Sequence, residues 1–178
     1  MAEESVTPPH PGSKGNPDGK PPTTEEMLKL ISGSTPHSRE LGLEVVHSAR
    51  GMAIMRLPWH ERLVGNPDEL VLHGGVVTTL LDSVCGMATM SARQPPERIV
   101  TLDLRIDYQR PATPRLDLFA RAEVTKMTRT IAFLSAIAYQ DDPKDTVALA
   151  TGTFMFVGSR KKKGGPEADR GAGGRKPA

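Results

Sequence analysis

The spacing of hydrophobic residues along the chain changes several times, and each change predicts a different element. Two β-like runs, 41–47 and 52–57, predict strands that are joined by a hairpin turn at 48–51. The segment 23–33 opens with hydroxyl and acidic residues, which are typical of a helix N-terminus, so a short helix is expected there. Proline, glycine and asparagine punctuate 58–70, which we interpret as a connecting loop.

A helical period replaces this pattern between Gly74 and about Ala92. The apolar positions, which cover most of the helical circumference, are Val76, Val77, Leu80, Leu81, Val84, Met87 and Ala88. A helix with so broad an apolar surface is expected to be buried. The polar residues, which lie three or four apart and share one stripe, are Thr78, Thr79, Asp82 and Ser83.

After Pro95 and Pro96 the period becomes two over 101–108 and 116–124. The run 131–139 is apolar on both faces and 147–157 is rich in Thr, Val and Phe, so four consecutive strands are predicted. The strands are expected near residues 101–108, 116–124, 131–139 and 147–157. In the first of them Thr101 is expected on the face opposite Leu102 and Leu104, because successive side chains of a strand point to opposite faces.

The order of predicted elements is a short helix, two strands, one buried helix and four strands. This order is an α+β pattern and not a series of alternating βαβ units. A long antiparallel sheet wrapped around the central helix satisfies it. Because one helix covers a single face of such a sheet, the other face and the edges need cover, and a homodimer or larger homo-oligomer is expected.

Composition places one globular domain within the 178 residues, of which 37 % are hydrophobic and 25 % charged. We assign this domain to residues 23–159, between a proline-rich tail at 1–22 and a basic tail at 160–178, both expected to be disordered. Lys and Arg number 23 against 21 Asp and Glu, a balance that does not indicate a nucleic-acid partner. No apolar run reaches the ~20 residues of a membrane span, and the acidic N-terminus is unlike a secretory signal, so the cytoplasm is expected.

The single cysteine, Cys85, excludes an internal disulfide and a zinc site built from several thiolates. Its place on the buried helix, with no strong base beside it in sequence, favours a core residue over a nucleophile. The histidines without ligand spacing among themselves or with Cys85 are His10, His37, His47 and His60. We therefore expect neither a metal ion nor a redox cofactor.

The most informative motif begins at Gly65 and has the pattern GNPxxxxxHGGVxxxLLD, ending at Asp82. With the segment TLDLRIDYQRPA at 101–112 and the order of elements, it resembles the PaaI-type hotdog thioesterases over about residues 24–157. The resemblance implies a hotdog fold and hydrolysis of an acyl-CoA-type thioester in a homodimer or homotetramer with active sites at the subunit interface. The spacing from His73 to Asp82 resembles this type more than a hotdog dehydratase or hydratase, and a non-catalytic acyl-CoA-binding protein is a further alternative.

The start of the central helix, His73-Gly74-Gly75, is a candidate site for the thioester carbonyl. Unpaired backbone N–H groups and the positive end of the helix macrodipole can polarise a carbonyl there, and two glycines permit its close approach. His73 either positions this loop near the thioester, as the resemblance implies, or caps the helix. Asp82 lies ~11 Å further along the helix axis than Gly75, too far to act on the same carbonyl. The resemblance resolves this conflict, because in such dimers one subunit supplies the acid and the other the HGG loop.

Asp82 interrupts an apolar helix, and a buried unpaired carboxylate is costly, so its presence needs a reason. Its candidate roles are general base toward water and nucleophile toward the thioester, with a hydrogen bond to Thr78 or Thr79 as the structural alternative. By resemblance, Asn66 orients the water or binds the thioester oxygen, and Thr101 helps to hold the nucleophilic water. An Asn-Pro turn and an exposed strand threonine are the corresponding structural alternatives.

Four basic residues near the predicted strand ends are candidate contacts for the phosphates of CoA. They are Arg110, Arg115, Lys126 and Arg129. Guanidinium and ammonium groups bind phosphate through charge-assisted hydrogen bonds, although each of these residues is more often a solvated surface charge.

Overall fold

A computed structural model describes residues 35–157, which form two α-helices and eight strands. In chain order they are α1 (Pro36–Leu41), β1 (Glu44–Ala49), β2 (Met52–Leu57), β3 (Val64–Asn66), β4 (Val71–Leu72), α2 (Gly74–Ser91), β5 (Arg98–Tyr108), β6 (Leu118–Met127), β7 (Ile131–Tyr139) and β8 (Thr146–Val157). The helix expected at 23–33 and the tails expected at 1–22 and 160–178 lie outside the described residues.

Six strands form one antiparallel sheet in the order β1-β2-β6-β7-β8-β5, while β3 and β4 form a separate hairpin. Helix α2 contacts all six strands of the larger sheet. This architecture confirms the predicted α+β hotdog fold, a long antiparallel sheet around one central helix. The four consecutive strands predicted after Pro96 are β5 to β8.

Small side chains on the inner face of the sheet make room for α2. The fully or almost fully buried alanines of the strands are Ala53, Ala120, Ala122, Ala132, Ala136, Ala138, Ala148 and Ala150. Against them the helix buries Leu80, Leu81 and Val84 completely. Large apolar residues on the helix and small ones on the sheet bring the helix backbone close to the strands, and this close approach fixes the position of the polar stripe of α2.

A β-bulge in β5 changes which side chains face the helix. Thr101 pairs with Phe154 of β8, and the register shifts by one residue before Asp103, so Leu102 is the extra residue. Phe154 is buried in the core, and paired residues of an antiparallel ladder share a face, so Thr101 points toward α2. The prediction that Thr101 faces away from Leu104 is wrong, because the bulge inserts one residue between them.

Two short structures lie where the periodicity of the sequence predicts none. Helix α1 is held by its N-cap Thr35, whose side chain accepts the Ser38 N–H, and it ends at Gly42 with φ +70°. As a result β1 begins at residue 44, later than predicted. The segment 58–70 is not a plain loop, since it contains a 3₁₀ turn and the strand β3, which pairs with β4 directly after the segment. Such elements depend on caps and on tertiary packing, so they escape a search for periodicity.

Strand β5 lies at one edge of the sheet, with no strand on its outer side among the described residues. It is 11 residues long. Val100, Leu102 and Tyr108 are 41 %, 52 % and 52 % exposed. A long apolar edge of this kind is a template for pairing with another chain. No helix within residues 35–157 is both long and apolar enough to cross a membrane.

Candidate active site

The residue before α2 caps the helix. His73 Nδ1 accepts the Gly75 N–H at 2.9 Å, and the His73 carbonyl accepts the Val76 N–H at 2.9 Å. A neutral imidazole that accepts at Nδ1 carries its proton on Nε2. The capping role is thus observed, and the prediction of unpaired N–H groups is wrong for Gly75. The Gly74 N–H, in contrast, has no acceptor among residues 35–157.

Gly74 and Gly75 leave the tip of α2 open. A Cβ at Gly74 would lie 3.4 Å from the Tyr108 hydroxyl, and one at Gly75 would lie 3.0 Å from His73 Nδ1. Both glycines are exposed. An oxygen atom can therefore approach the Gly74 N–H at the positive end of the helix, where a developing negative charge is stabilised.

The 3₁₀ turn and strand β3 both contact His73. The His73 N–H donates to the Leu63 carbonyl at 2.9 Å. Gly65 faces the same residue so closely that a Cβ there would lie 2.7 Å from His73 Cα. A backbone atom cannot yield as a flexible side chain can, so this position requires glycine. The glycine of the GNP segment thus has a steric cause.

Gly65→Ala is expected to lower the free energy of unfolding by about 1–3 kcal/mol, because the new methyl group overpacks against the His73 backbone. Urea unfolding at fixed protein concentration measures the effect. Gly86→Ala is the matched control, since its Cβ would meet Ile99 and Phe154 at ordinary contact distances of 3.5 and 3.8 Å. Equal stability of the two variants would contradict this prediction.

Tyr108 is a residue of this region that the sequence did not single out. Its hydroxyl donates to the Gly74 carbonyl at 2.8 Å and lies 2.9 Å from Thr78 Oγ1. Thr78 Oγ1 also donates to the Gly74 carbonyl, at 3.1 Å. The tip of α2 is therefore tied to the end of β5. The one available sequence signal was the alternation that places Tyr108 on the inner face of its strand.

Asp82 is half-buried and accepts a hydrogen bond at Oδ1 from the Thr101 hydroxyl, at 3.0 Å. The structural alternative, a bond from Thr78 or Thr79, is not what the chain uses, since both hydroxyls donate to backbone carbonyls one turn earlier. The β-bulge makes the contact with Thr101 possible because it turns this side chain inward. Two predicted site residues are thus brought together.

Asp82 and Thr101 line an open pocket of about 180 Å³ between α2 and the sheet. The apolar part of its wall is formed by Met55, Gly86, Met87, Met90, Ile99 and Phe154. A carboxylate and a hydroxyl thus lie beside an apolar wall. This arrangement suits a ligand that has a reactive polar group at one end and a hydrocarbon chain at the other.

Cys85 lies near this pocket, but its side chain is part of the hydrophobic core. Burial raises the pKa of its thiol to about 12, and the charge of Asp82 adds to the increase. The thiol is therefore protonated at neutral pH and is a poor nucleophile. Its complete burial confirms the predicted core role.

Asn66 closes a turn before the helix. Its Oδ1 accepts the Asp68 N–H at 3.1 Å, which is the predicted structural alternative of an Asn-Pro turn. The residue is exposed, and its side-chain NH₂ group has no hydrogen-bond acceptor within the described part of the chain. Asn66 can therefore hold the turn and still donate to a ligand.

The carbonyl-binding and carboxylate parts of the candidate site are separated within one chain. Gly74 and Asp82 are eight residues apart on α2 (82 − 74), or ~12 Å along the helix axis. Tyr108 at the helix tip and Thr101 beside the carboxylate lie toward opposite ends of β5. One thioester carbonyl cannot contact both parts of the same subunit.

The four basic candidates fall into two pairs. Arg110 and Arg115 lie at the end of the sheet where α2 begins, and Lys126 and Arg129 lie where it ends. All five N–H donors of Arg110 are engaged by Asp145, Gln140 and the Pro111 carbonyl, and its contact with CoA stays a prediction.

The other three basic side chains remain available. Arg115, Lys126 and Arg129 are exposed, and none has an ion pair among residues 35–157. The backbone of Arg115 has φ +63°, so its side chain projects from a tight turn before β6. These three side chains therefore have donors to offer to a phosphate, whereas those of Arg110 are already engaged.

Comparison with known proteins identifies the family. The family model described as "Thioesterase superfamily" matches residues 71–147. A candidate esterase of Halobacterium salinarum is 37 % identical over 122 residues, which are 64 % of this chain and 80 % of that protein. The medium/long-chain acyl-CoA thioesterase YigI of Escherichia coli K12 is 27 % identical over 150 residues, 75 % of this chain and 96 % of that protein. The solved structure of E. coli PaaI shares the fold, with a TM-score of 0.68 and 20 % identity over 76 % of this chain and 94 % of that one.

The matched segments include the elements that build the candidate site. The family model spans the tip of α2, the carboxylate in its middle and the whole of β5. The two relatives match longer stretches, 64 % and 75 % of this chain. The chain belongs to the thioesterase superfamily and is a thioester hydrolase with the hotdog fold.

Proposed function

We propose that this protein hydrolyses acyl-CoA thioesters to the free acid and CoA. The observation that carries the proposal is the Asp82–Thr101 pair beside an apolar pocket. A thioester bound with its acyl chain along the apolar wall presents its carbonyl carbon to the carboxylate. The name of the E. coli relative supports acyl-CoA as the substrate class.

Asp82 acts either as a general base or as a nucleophile. As a base it takes a proton from water while the water oxygen bonds to the carbonyl carbon, and the thiolate of CoA leaves as the tetrahedral intermediate collapses. As a nucleophile it forms a mixed anhydride that water then hydrolyses. Thr101 supports both routes, because its hydroxyl holds Oδ1 and leaves Oδ2 without a partner among the described residues.

The carbonyl oxygen is stabilised by the tip of α2 of a second subunit. The Gly74 N–H, which has no acceptor among the described residues, and the helix dipole supply the positive charge. The ~12 Å separation requires that the tip and Asp82 come from different chains. His73 presents its Nε2–H and Asn66 its amide group beside the same tip. In this proposal His73 and Gly75 shape the loop, while Asn66 orients water or the thioester oxygen.

The edge strand β5 supports such a dimer. Thr101 and Tyr108 both face α2, since the bulge corrects the alternation between them. If two β5 strands pair antiparallel about a two-fold axis midway between these residues, Thr101 of each chain lies opposite Tyr108 of the other. That pairing places Asp82 of one subunit beside Gly74 of the other, twice per dimer. Further pairing of dimers through the outer sheet faces would give a homotetramer.

The phosphates of CoA are proposed to meet exposed cations near the same cleft. A two-fold axis along this edge brings the end of one subunit that carries Arg115 beside the end of the other that carries Lys126 and Arg129. The three side chains have no ion pair among the described residues, so their donors are free for phosphate.

A panel of acyl-CoAs with a thiol-reactive dye tests the function. Acetyl-, butanoyl-, octanoyl-, dodecanoyl- and palmitoyl-CoA are mixed with the purified full-length protein, and thiol release is followed. Release supports the thioesterase. Binding without release would show a non-catalytic acyl-CoA-binding protein. An enoyl-CoA is tested beside the panel, and its hydration without thiol release would show a hydratase.

Gly86→Leu is expected to shorten the acyl chains that are accepted, because the new side chain extends toward Ile99 and Phe154 in the apolar wall. We expect kcat/KM for dodecanoyl-CoA to fall by about 10-fold or more, while that for butanoyl-CoA changes little. Gly86→Ala, which adds one methyl group, is the graded control. An equal fall for both substrates would show that the acyl chain lies elsewhere.

A further inference from the structure

Two side-chain hydroxyl groups contact the Gly74 carbonyl, which is more than the start of a helix requires. In α2 this carbonyl belongs to the first helical turn, and it also lies 2.8 Å from the Tyr108 hydroxyl and 3.1 Å from Thr78 Oγ1. The two hydroxyl oxygens are themselves 2.9 Å apart. The two hydroxyl protons are thus shared among three contacts, two to the Gly74 carbonyl and one between the hydroxyl groups. Tyr108 and Thr78 therefore form one hydrogen-bond network.

The residue that these groups hold has no side chain to restrict its own backbone. Gly74 is followed by a second glycine, and residues without a Cβ have the widest range of accessible backbone dihedrals. On one side of Gly74 the His73 carbonyl accepts the Val76 N–H, and on the other the Gly75 N–H donates to the imidazole. The contact from Tyr108 adds a restraint from a different element, the strand β5.

We propose that Tyr108, together with Thr78, is a positioning residue that fixes the direction of the Gly74 N–H. This inference rests on the proposed function, in which that N–H binds the thioester oxygen. Strand β5 carries both Thr101, which orients Asp82, and Tyr108, which orients Gly74. A single strand therefore sets the geometry of the carboxylate and of the carbonyl-binding group, and it does so at the edge where the second subunit is proposed to dock.

The contacts of Tyr108 favour a role in positioning Gly74 over a role in packing β5 against α2. Tyr108 is 52 % exposed, so its ring contributes little to the core of a single subunit. Its hydroxyl nonetheless reaches a backbone carbonyl at the open tip of α2, where a Cβ on Gly74 would lie 3.4 Å from it. Removing the hydroxyl should leave the fold intact and loosen the helix start.

Tyr108→Phe is expected to lower kcat for acyl-CoA hydrolysis by about 10-fold while KM stays within about twofold, because a misdirected oxyanion donor weakens the transition state more than substrate binding. Thr78→Val should give a similar loss, and the double variant should lose less than the product of the two, since both act on one carbonyl. Tyr139→Phe is the matched control. Its ring stacks on Phe119 at 5.9 Å between centroids, away from α2, and we expect wild-type kcat.

A second measurement detects the hydrogen bond between the Tyr108 hydroxyl and the Gly74 carbonyl. In the full-length protein labelled with ¹⁵N, the amide of Gly75 shares its peptide bond with the Gly74 carbonyl, so loss of the Tyr108 hydrogen bond should shift that amide nitrogen upfield. Tyr139→Phe should not move it.

The possible results separate this inference from the proposed function. An active wild type with unchanged kcat in Tyr108→Phe, or with a rise in KM alone, would overturn the positioning role and leave the function standing. A wild type that releases no thiol from any acyl-CoA would overturn the proposed function and this inference with it. A fall in kcat without a shift of the Gly75 amide would show that Tyr108 acts otherwise than through Gly74.

Discussion

Replacing Asp82 with alanine is expected to lower kcat for acyl-CoA hydrolysis by about 10²-fold or more. The carboxylate lies beside the apolar pocket and accepts the Thr101 hydroxyl, so it is placed to take a proton from water or to attack the carbonyl carbon. Loss of a group in either role commonly costs 10² to 10⁴ in rate, as an order of magnitude. Steady-state thiol release with the best acyl-CoA of the panel measures the loss.

The control for this variant is Asp141→Ala, which removes an exposed carboxylate from the turn after β7. It should keep the activity of the wild type. Circular dichroism and size-exclusion chromatography establish whether the Asp82→Ala protein keeps its fold and assembly. Wild-type turnover in a folded and assembled Asp82→Ala protein would refute the role of this carboxylate.

Mixing two inactive variants is expected to restore activity. Gly74→Val blocks the tip of α2, since even a Cβ there reaches the Tyr108 hydroxyl at 3.4 Å, and Asp82→Ala removes the carboxylate. In a hybrid dimer one site receives Asp82 from the first chain and Gly74 from the second, and that site is wild-type. Random assembly makes half of the dimers hybrids with one intact site each, so about a quarter of the wild-type activity should return.

The two variants are co-expressed with different affinity tags, and the hybrid is purified through both tags in turn. Since one of its two sites is intact, the purified hybrid should have about half of the wild-type activity. Mixtures of each variant with itself should stay inactive. If the purified hybrid shows no more activity than the inactive parents, the carboxylate and the helix tip act within one subunit. A chain that is strictly monomeric by analytical ultracentrifugation would lead to the same conclusion.

The types of the main elements could be read from local periodicity. Apolar residues around most of the circumference of 76–88 indicated a buried helix, and alternation along 101–108 and 116–124 indicated strands. Burial dictates these patterns residue by residue, so they are visible without knowledge of the partner segment. The two glycines after His73 and the lone carboxylate at Asp82 were visible in the same way.

Contacts between distant segments could not be read from the sequence. Arg110 looks like a free cation until Asp145, 35 residues later, is placed against it. Tyr108 is 34 residues from Gly74, and its bond to that carbonyl depends on where β5 crosses the helix tip. Such pairs form only when the register of the whole sheet is set, and that register is a property of the packed domain.

The sequence by itself determined that one buried helix with a glycine-rich tip and a single carboxylate is surrounded by strands, because each pattern reflects the local balance of apolar and polar side chains. Only the tertiary structure decided which hydroxyl meets that carboxylate. A one-residue bulge after Thr101 reverses the face of its side chain, and alternation in the sequence carries no sign of the bulge, since the pairing with β8 creates it.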